Sequence, residues 1–143
     1  MRSLKNYKIV IVLLISILVY NCKILKIESP PTLPCKGYDK VIKSGRPHII
    51  EFGNKWFGPS MANRNFLKDF WYKYRDEVDV YFVNVLDCDE IVLKYDIFFI
   101  PTILIFNKEG EEIFRWVGQW NKDDFYRVIK AMKIVKWRDG NKR

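Results

Sequence analysis

Residues 49–60 read IIEFGNKWFGPS, and the fold is decided there. The run HIIEF, residues 48–52, is short and apolar, as expected of a strand buried on both faces. From Ser60 to Tyr74 the apolar residues fall at Phe66, Leu67, Phe70, Trp71 and Tyr74. That spacing predicts a helix with one apolar stripe. Between strand and helix lies KWFGPS, a turn with two aromatic rings, a glycine and a proline, and no cysteine.

Outward from this point, strand-like and helix-like segments alternate. VDVYFVNV, residues 78–85, is β-branched and aromatic, and predicts a strand. Glu90–Tyr95 reads as a short helix. TILIF (102–106) and EEIFRWV (111–117) flank Asn107-Lys108-Glu109-Gly110, which supplies hairpin turn chemistry. Asn121 is placed to cap a last helix that buries Phe125, Val128, Ile129, Met132 and Val135, with Asp123 and Asp124 at its positive end. A short helix over Tyr38–Ser44 precedes the first strand. The βα unit followed by a strand needs a right-handed parallel crossover. The hairpin adds antiparallel strands. The expected class is therefore α/β, a mixed central sheet flanked by helices.

The chain has 143 residues and a formal net charge of +8. The excess sits at the ends: residues 1–46 carry +7, residues 47–137 carry −1 and the last six residues carry +2. A near-neutral body lacks the clustered cations of a phosphate-binding surface, so no nucleic-acid partner is expected. At the N-terminus Arg2, Lys5 and Lys8 precede the apolar run Ile9–Tyr20. The pattern suits a secretory signal or an uncleaved anchor over residues 1–27. In the first reading Cys22 is the candidate for lipidation. In both, the basic end stays inside and the domain is exported, attached to a membrane through its N-terminus. Residues 28–37, with Pro30, Pro31 and Pro34, read as a linker. The globular domain is expected over 38–137, with a basic tail over 138–143.

Three cysteines, Cys22, Cys35 and Cys88, are widely spaced and form no CxxC. Zinc and dithiol motifs are therefore not expected. A Cys35–Cys88 bridge is one option in an oxidising compartment, though Cys35 falls in the linker. His48 is the only histidine, with no second ligand type beside it, so no metal site and no cofactor are expected.

Taken together these segments resemble the thioredoxin family over about residues 38–136. IIEFGNKWFGPS is similar to the strand and active-site turn that in the family ends WCGPC. Trp56, Gly58 and Pro59 match, while Phe57 and Ser60 stand where the family has its two cysteines. KYDIFFIPT, residues 94–102, resembles the segment leading to the family's cis-proline, which would be Pro101. Gly118 matches the glycine after the last strand. The resemblance implies a thioredoxin fold and, in the family, thiol–disulfide exchange. It places Glu51 at the family's buried acid, with a pKa raised by desolvation. Phe82 stands where a lysine is often found beside that acid, so no compensating charge is expected for Glu51.

An aromatic ring and a hydroxyl cannot carry thiol–disulfide exchange. The expected function is accordingly an exported protein without dithiol activity, binding a peptide or protein partner rather than turning one over. Its surface would comprise Trp56, Phe57, Phe99, Ile100, Pro101 and Trp120. The alternative is a redox protein using the single thiol of Cys88, with Glu51 or water moving the proton. A third reading is a structural subunit of a membrane-associated complex.

Overall fold

All six residues of β1 (His48–Gly53) are buried, because this strand has a partner on each edge and helices on both faces. The computed structural model describes residues 9–16 and 29–138. β1 pairs in parallel with β2 (Asp79–Asn84) and antiparallel with β3 (Thr102–Phe106). β3 pairs antiparallel with β4 (Glu112–Val117), so the strand order is β2-β1-β3-β4. The helices are α1 (Tyr38–Ile42), α2 (Gly58–Tyr74), α3 (Asp89–Lys94) and α4 (Lys122–Met132). Asn121 caps α4 as its sequence predicts, its Oδ1 accepting from the amides of Asp123 at 2.8 Å and Asp124 at 3.4 Å.

The period-2 alternation of the strands divides the core into two layers. Ile49, Val80, Ile103 and Ile105 face α2 and α4, packing on Phe66, Leu67, Phe70, Tyr74, Phe125 and Ile129. Ile50, Phe52, Val83, Leu104 and Phe106 face the other way, onto Tyr38 and Ile42 of α1 and Ile91 of α3. His48 is fully buried in contact with Phe106. Its Nε2 donates to the Ile42 carbonyl at 2.5 Å, so it joins α1 to the sheet.

The proline-rich stretch does more than connect. Thr32 pairs in parallel with Phe82 of β2, along the outer edge of that strand. The Leu33 amide donates to the Phe82 carbonyl at 2.9 Å, and the Phe82 amide donates to the Pro31 carbonyl at 3.1 Å. Leu33 is buried in the same layer as Ile50 and Phe52. Residues 30–35 thus form a strap along the edge of β2, running in the same direction as that strand. The prolines leave it few backbone donors, so its hold on the sheet is short.

Residues 9–16 are helical, and among the described residues no helix is long and apolar enough to cross a membrane. Cys22 and residues 139–143 lie outside the described residues.

Candidate functional site

Three loops meet at one pole of the sheet, because β1 and β2 end there and β3 begins there. The first is the turn after β1. Its backbone closes through the Phe57 amide, which donates to the Asn54 carbonyl at 3.1 Å, and the Trp56 amide, which donates to Asn54 Oδ1 at 2.9 Å. α2 then starts at Gly58 with Pro59 in its first turn, where a missing N–H costs nothing. Trp56 is 81% exposed and Phe57 43% exposed. Ser60 is buried, its Oγ accepting from the Asn54 amide at 3.2 Å.

The second loop carries the Ile100–Pro101 peptide bond, which is cis. The Gly118 amide donates to the Pro101 carbonyl at 2.7 Å, and Thr102 Oγ1 donates to the Phe99 carbonyl at 2.7 Å. Pro101 is buried and Ile100 half-buried, while Phe98 and Phe99 are exposed. Trp120 is not at this surface. It is 3% exposed and stacks on Phe114 and Trp116 within the α2–α4 layer. Its amide donates to Oδ1 of buried Asn63 at 2.9 Å, and Asn63 Nδ2 donates to the Gly118 carbonyl at 3.3 Å. Asn63 therefore ties α2 to the loop after β4, a role its sequence position does not announce.

Beneath the first turn, Glu51 is fully buried on the α2 side of the sheet. Its Oε2 accepts from Arg64 Nε at 2.7 Å. Burial pushes the Glu51 carboxyl up to about 7 despite the opposing pull of Arg64 and Ser60. The compensating charge thus comes from Arg64, one helical turn beyond Ser60, and its guanidinium lies 4.9 Å from the centre of the Phe82 ring. The expectation that Glu51 has no compensating charge is corrected: the cation comes from α2 and not from the strand that carries Phe82. Glycine is required at 53, since a Cβ there would collide with Glu51 Oε1 and Ser60 Oγ.

The third loop follows β2 and overturns the functional expectation. Cys88 and Cys35 form a disulfide, with Cα atoms 5.2 Å apart across 53 residues of sequence. Cys88, 3% exposed, packs in the layer of Ile50, Phe52, Val83 and Ile91. Cys35, at the end of the strap, is half-buried against the margin of the same layer. Its Sγ lies 3.2 Å from the Asp87 carbonyl oxygen, an acceptor in place for the thiol of the reduced form. The WFGPS turn has no sulfur, but the pole does: the Cys35–Cys88 pair stands at the same end of the sheet. The reading of a chain without dithiol chemistry, acting only by binding, is corrected on this ground. Proton transfer from Glu51 to Cys88 is also excluded. Glu51 faces α2, whereas Cys88 packs on the opposite layer.

A mixed four-stranded sheet covered on both faces, with a cis-proline loop beside a helix N-terminus, defines the thioredoxin fold. A family model described as Thioredoxin matches residues 22–131. The chain belongs to the thioredoxin family. It is 29% identical over 96 residues to Thioredoxin M3, chloroplastic, of Oryza sativa subsp. japonica, covering 67% of this chain and 54% of that protein. It is 31% identical over 78 residues to Thioredoxin C-2 of Corynebacterium nephridii, covering 54% of this chain and 71% of that protein. The chain thus spans about half the length of the rice relative it matches. The solved mitochondrial thioredoxin 3 from Saccharomyces cerevisiae, in its oxidized form, superposes with a TM-score of 0.61 at 20% identity, covering 72% of this chain and 94% of that one. At that identity the likeness is one of fold.

Proposed function

We propose that this chain is a thiol–disulfide redox protein whose exchanging couple is Cys35–Cys88, carried on an exported domain attached to a membrane through its N-terminus. One observation carries the reading: the two cysteines of the folded domain are joined at the pole where the loops after β1 and β2 and before β3 converge. The couple takes two electrons and two protons from a partner dithiol, which becomes a disulfide, and returns them in the reverse reaction. Cys35 is only half-buried, so it is the sulfur of the pair nearer to a partner's reach. The WFGPS turn supplies no sulfur to this exchange.

Export accords with the same bond, because disulfides persist in oxidising compartments. The basic residues before Ile9 and the apolar run that follows supply the targeting pattern.

The test is equilibration of the folded full-length protein in glutathione buffers of graded potential, followed by acid quench and thiol alkylation. A couple that serves exchange titrates above about −300 mV, within reach of glutathione. A pair that stays oxidised in the folded protein across that range is a structural staple, and the redox reading fails. Intact mass of the membrane-extracted protein tests the anchor. A start at Cys22 with added acyl mass supports lipidation, and a full-length mass supports an uncleaved anchor.

A further inference from the structure

The two sulfurs of the couple are not equivalent, and the difference decides where a partner reacts. A thiolate attacks a disulfide sulfur in line, from the side opposite the sulfur that leaves. Approach to Cys88 along that line meets the layer built by Ile50, Phe52, Val83 and Ile91, in which Cys88 is 3% exposed. Cys35 is the more accessible of the two: it is half-buried, at the margin of the same layer, whereas Cys88 is 3% exposed within it. The two sulfurs also sit on parts of unequal firmness. Cys88 is anchored at the start of α3, among buried residues of the sheet. Cys35 ends a strap held to β2 by two backbone hydrogen bonds and the Leu33 side chain.

We propose that Cys35 is the sulfur that bonds to the partner and that Cys88 is the buried sulfur that leaves and later resolves. The inference rests on the redox reading of the pair. In the oxidised protein a partner thiolate attacks Cys35 Sγ. A partner–Cys35 bond forms, the Cys35–Cys88 bond breaks, and Cys88 departs as a thiolate that takes up a proton. The partner's second thiolate then attacks the partner sulfur of the mixed disulfide. Cys35 is released and protonated, and the partner is left oxidised by two electrons. In the reverse direction Cys35 attacks a partner disulfide and Cys88 closes back on Cys35. The strap is the part that must yield when the mixed disulfide forms, because its end carries the partner.

The order can be read from the wild-type chain. Full-length oxidised protein is exposed briefly to reduced glutathione, quenched in acid, treated with N-ethylmaleimide and cleaved with trypsin. The three cysteines separate cleanly, because Cys35 falls in the peptide 27–36, Cys88 in 76–94 and Cys22 in 9–23. Glutathione is expected on Cys35 and maleimide on Cys88, in at least about a tenfold excess over the opposite pattern. Glutathione mainly on Cys88 overturns the assignment while leaving the exchange reading intact. No adduct in the folded protein, with adducts appearing only in urea, refutes the exchange reading and this assignment together.

Discussion

Glu51 Oε2 accepts a hydrogen bond from Arg64 Nε at 2.7 Å, inside the layer between the sheet and α2 and away from both cysteines. A carboxylate so placed is a matter of stability and of the shape of the neighbouring turn, and the first prediction follows from it. Folding raises the Glu51 pKa from 4.5 to about 7, chiefly through burial. Between those values the folded chain holds the proton more tightly than the unfolded chain does, so stability falls as pH rises through this window and levels off above it. The Glu51 contribution is about 3 kcal/mol. Urea midpoints measured at several pH values should show a decline in wild type that is absent in Glu51→Gln. Arg64→Met should deepen the decline, because it removes the group that opposes desolvation.

The disulfide joins residues 53 apart in sequence. Closing a loop of that length restricts the unfolded chain by about 4 kcal/mol on the chain-entropy account. The guanidinium midpoint of the oxidised protein should exceed that of the dithiothreitol-reduced protein accordingly. Cys35→Ser should behave as the reduced form and no longer respond to reductant.

Gly53 tests the crowding beneath the turn. Gly53→Ala places a Cβ against Glu51 Oε1 and Ser60 Oγ. It should cost about 1–3 kcal/mol by overpacking. Ser60→Gly removes the hydroxyl and Cβ that account for two of the three close approaches. Combined with Gly53→Ala, it should recover part of the loss in thermal unfolding.

Asn63 is buried with both ends of its amide engaged, one by the Trp120 amide and one by the Gly118 carbonyl. Asn63→Leu leaves two backbone groups without their partner. A loss of about 2–6 kcal/mol is expected, at roughly 1–3 kcal/mol for each unsatisfied buried group. The near-ultraviolet signal of the Trp116–Trp120 stack should weaken at the same time.

Phe57 is the N-cap residue of α2 and Ser60 lies in its first turn. Thiols installed there would gain a helix N-terminus, which favours the thiolate. Phe57→Cys with Ser60→Cys should therefore confer insulin reduction on a background of Cys35→Ser with Cys88→Ser. The background alone should show none.

Much of this molecule was readable from the residues themselves. The strand at 48–52 and the capped last helix depend on local patterns, and each lies where the pattern puts it; the cis bond before Pro101 is as the family resemblance implies. The Cys35–Cys88 pair was not readable in the same way. Its halves are separated by 53 residues and belong to no spacing motif, so only the parallel alignment of the strap with β2 brings them together. A signal was present, since each cysteine follows a segment that ends at the same pole. It was outweighed by three prolines that read as a linker. Arg64 was missed for a different reason. The family's usual cation beside the acid lies on a neighbouring strand, and here it comes from a helix, four residues after Ser60 and so on the same helical face.

The direction of the strap also orients the whole domain. Because residues 30–35 ascend beside β2, the chain arrives at the foot of the sheet, and Cys35 lies at its head. The described chain thus enters at one end of the sheet and carries its sulfurs at the other, so a partner meets the disulfide at the pole opposite the chain's entry.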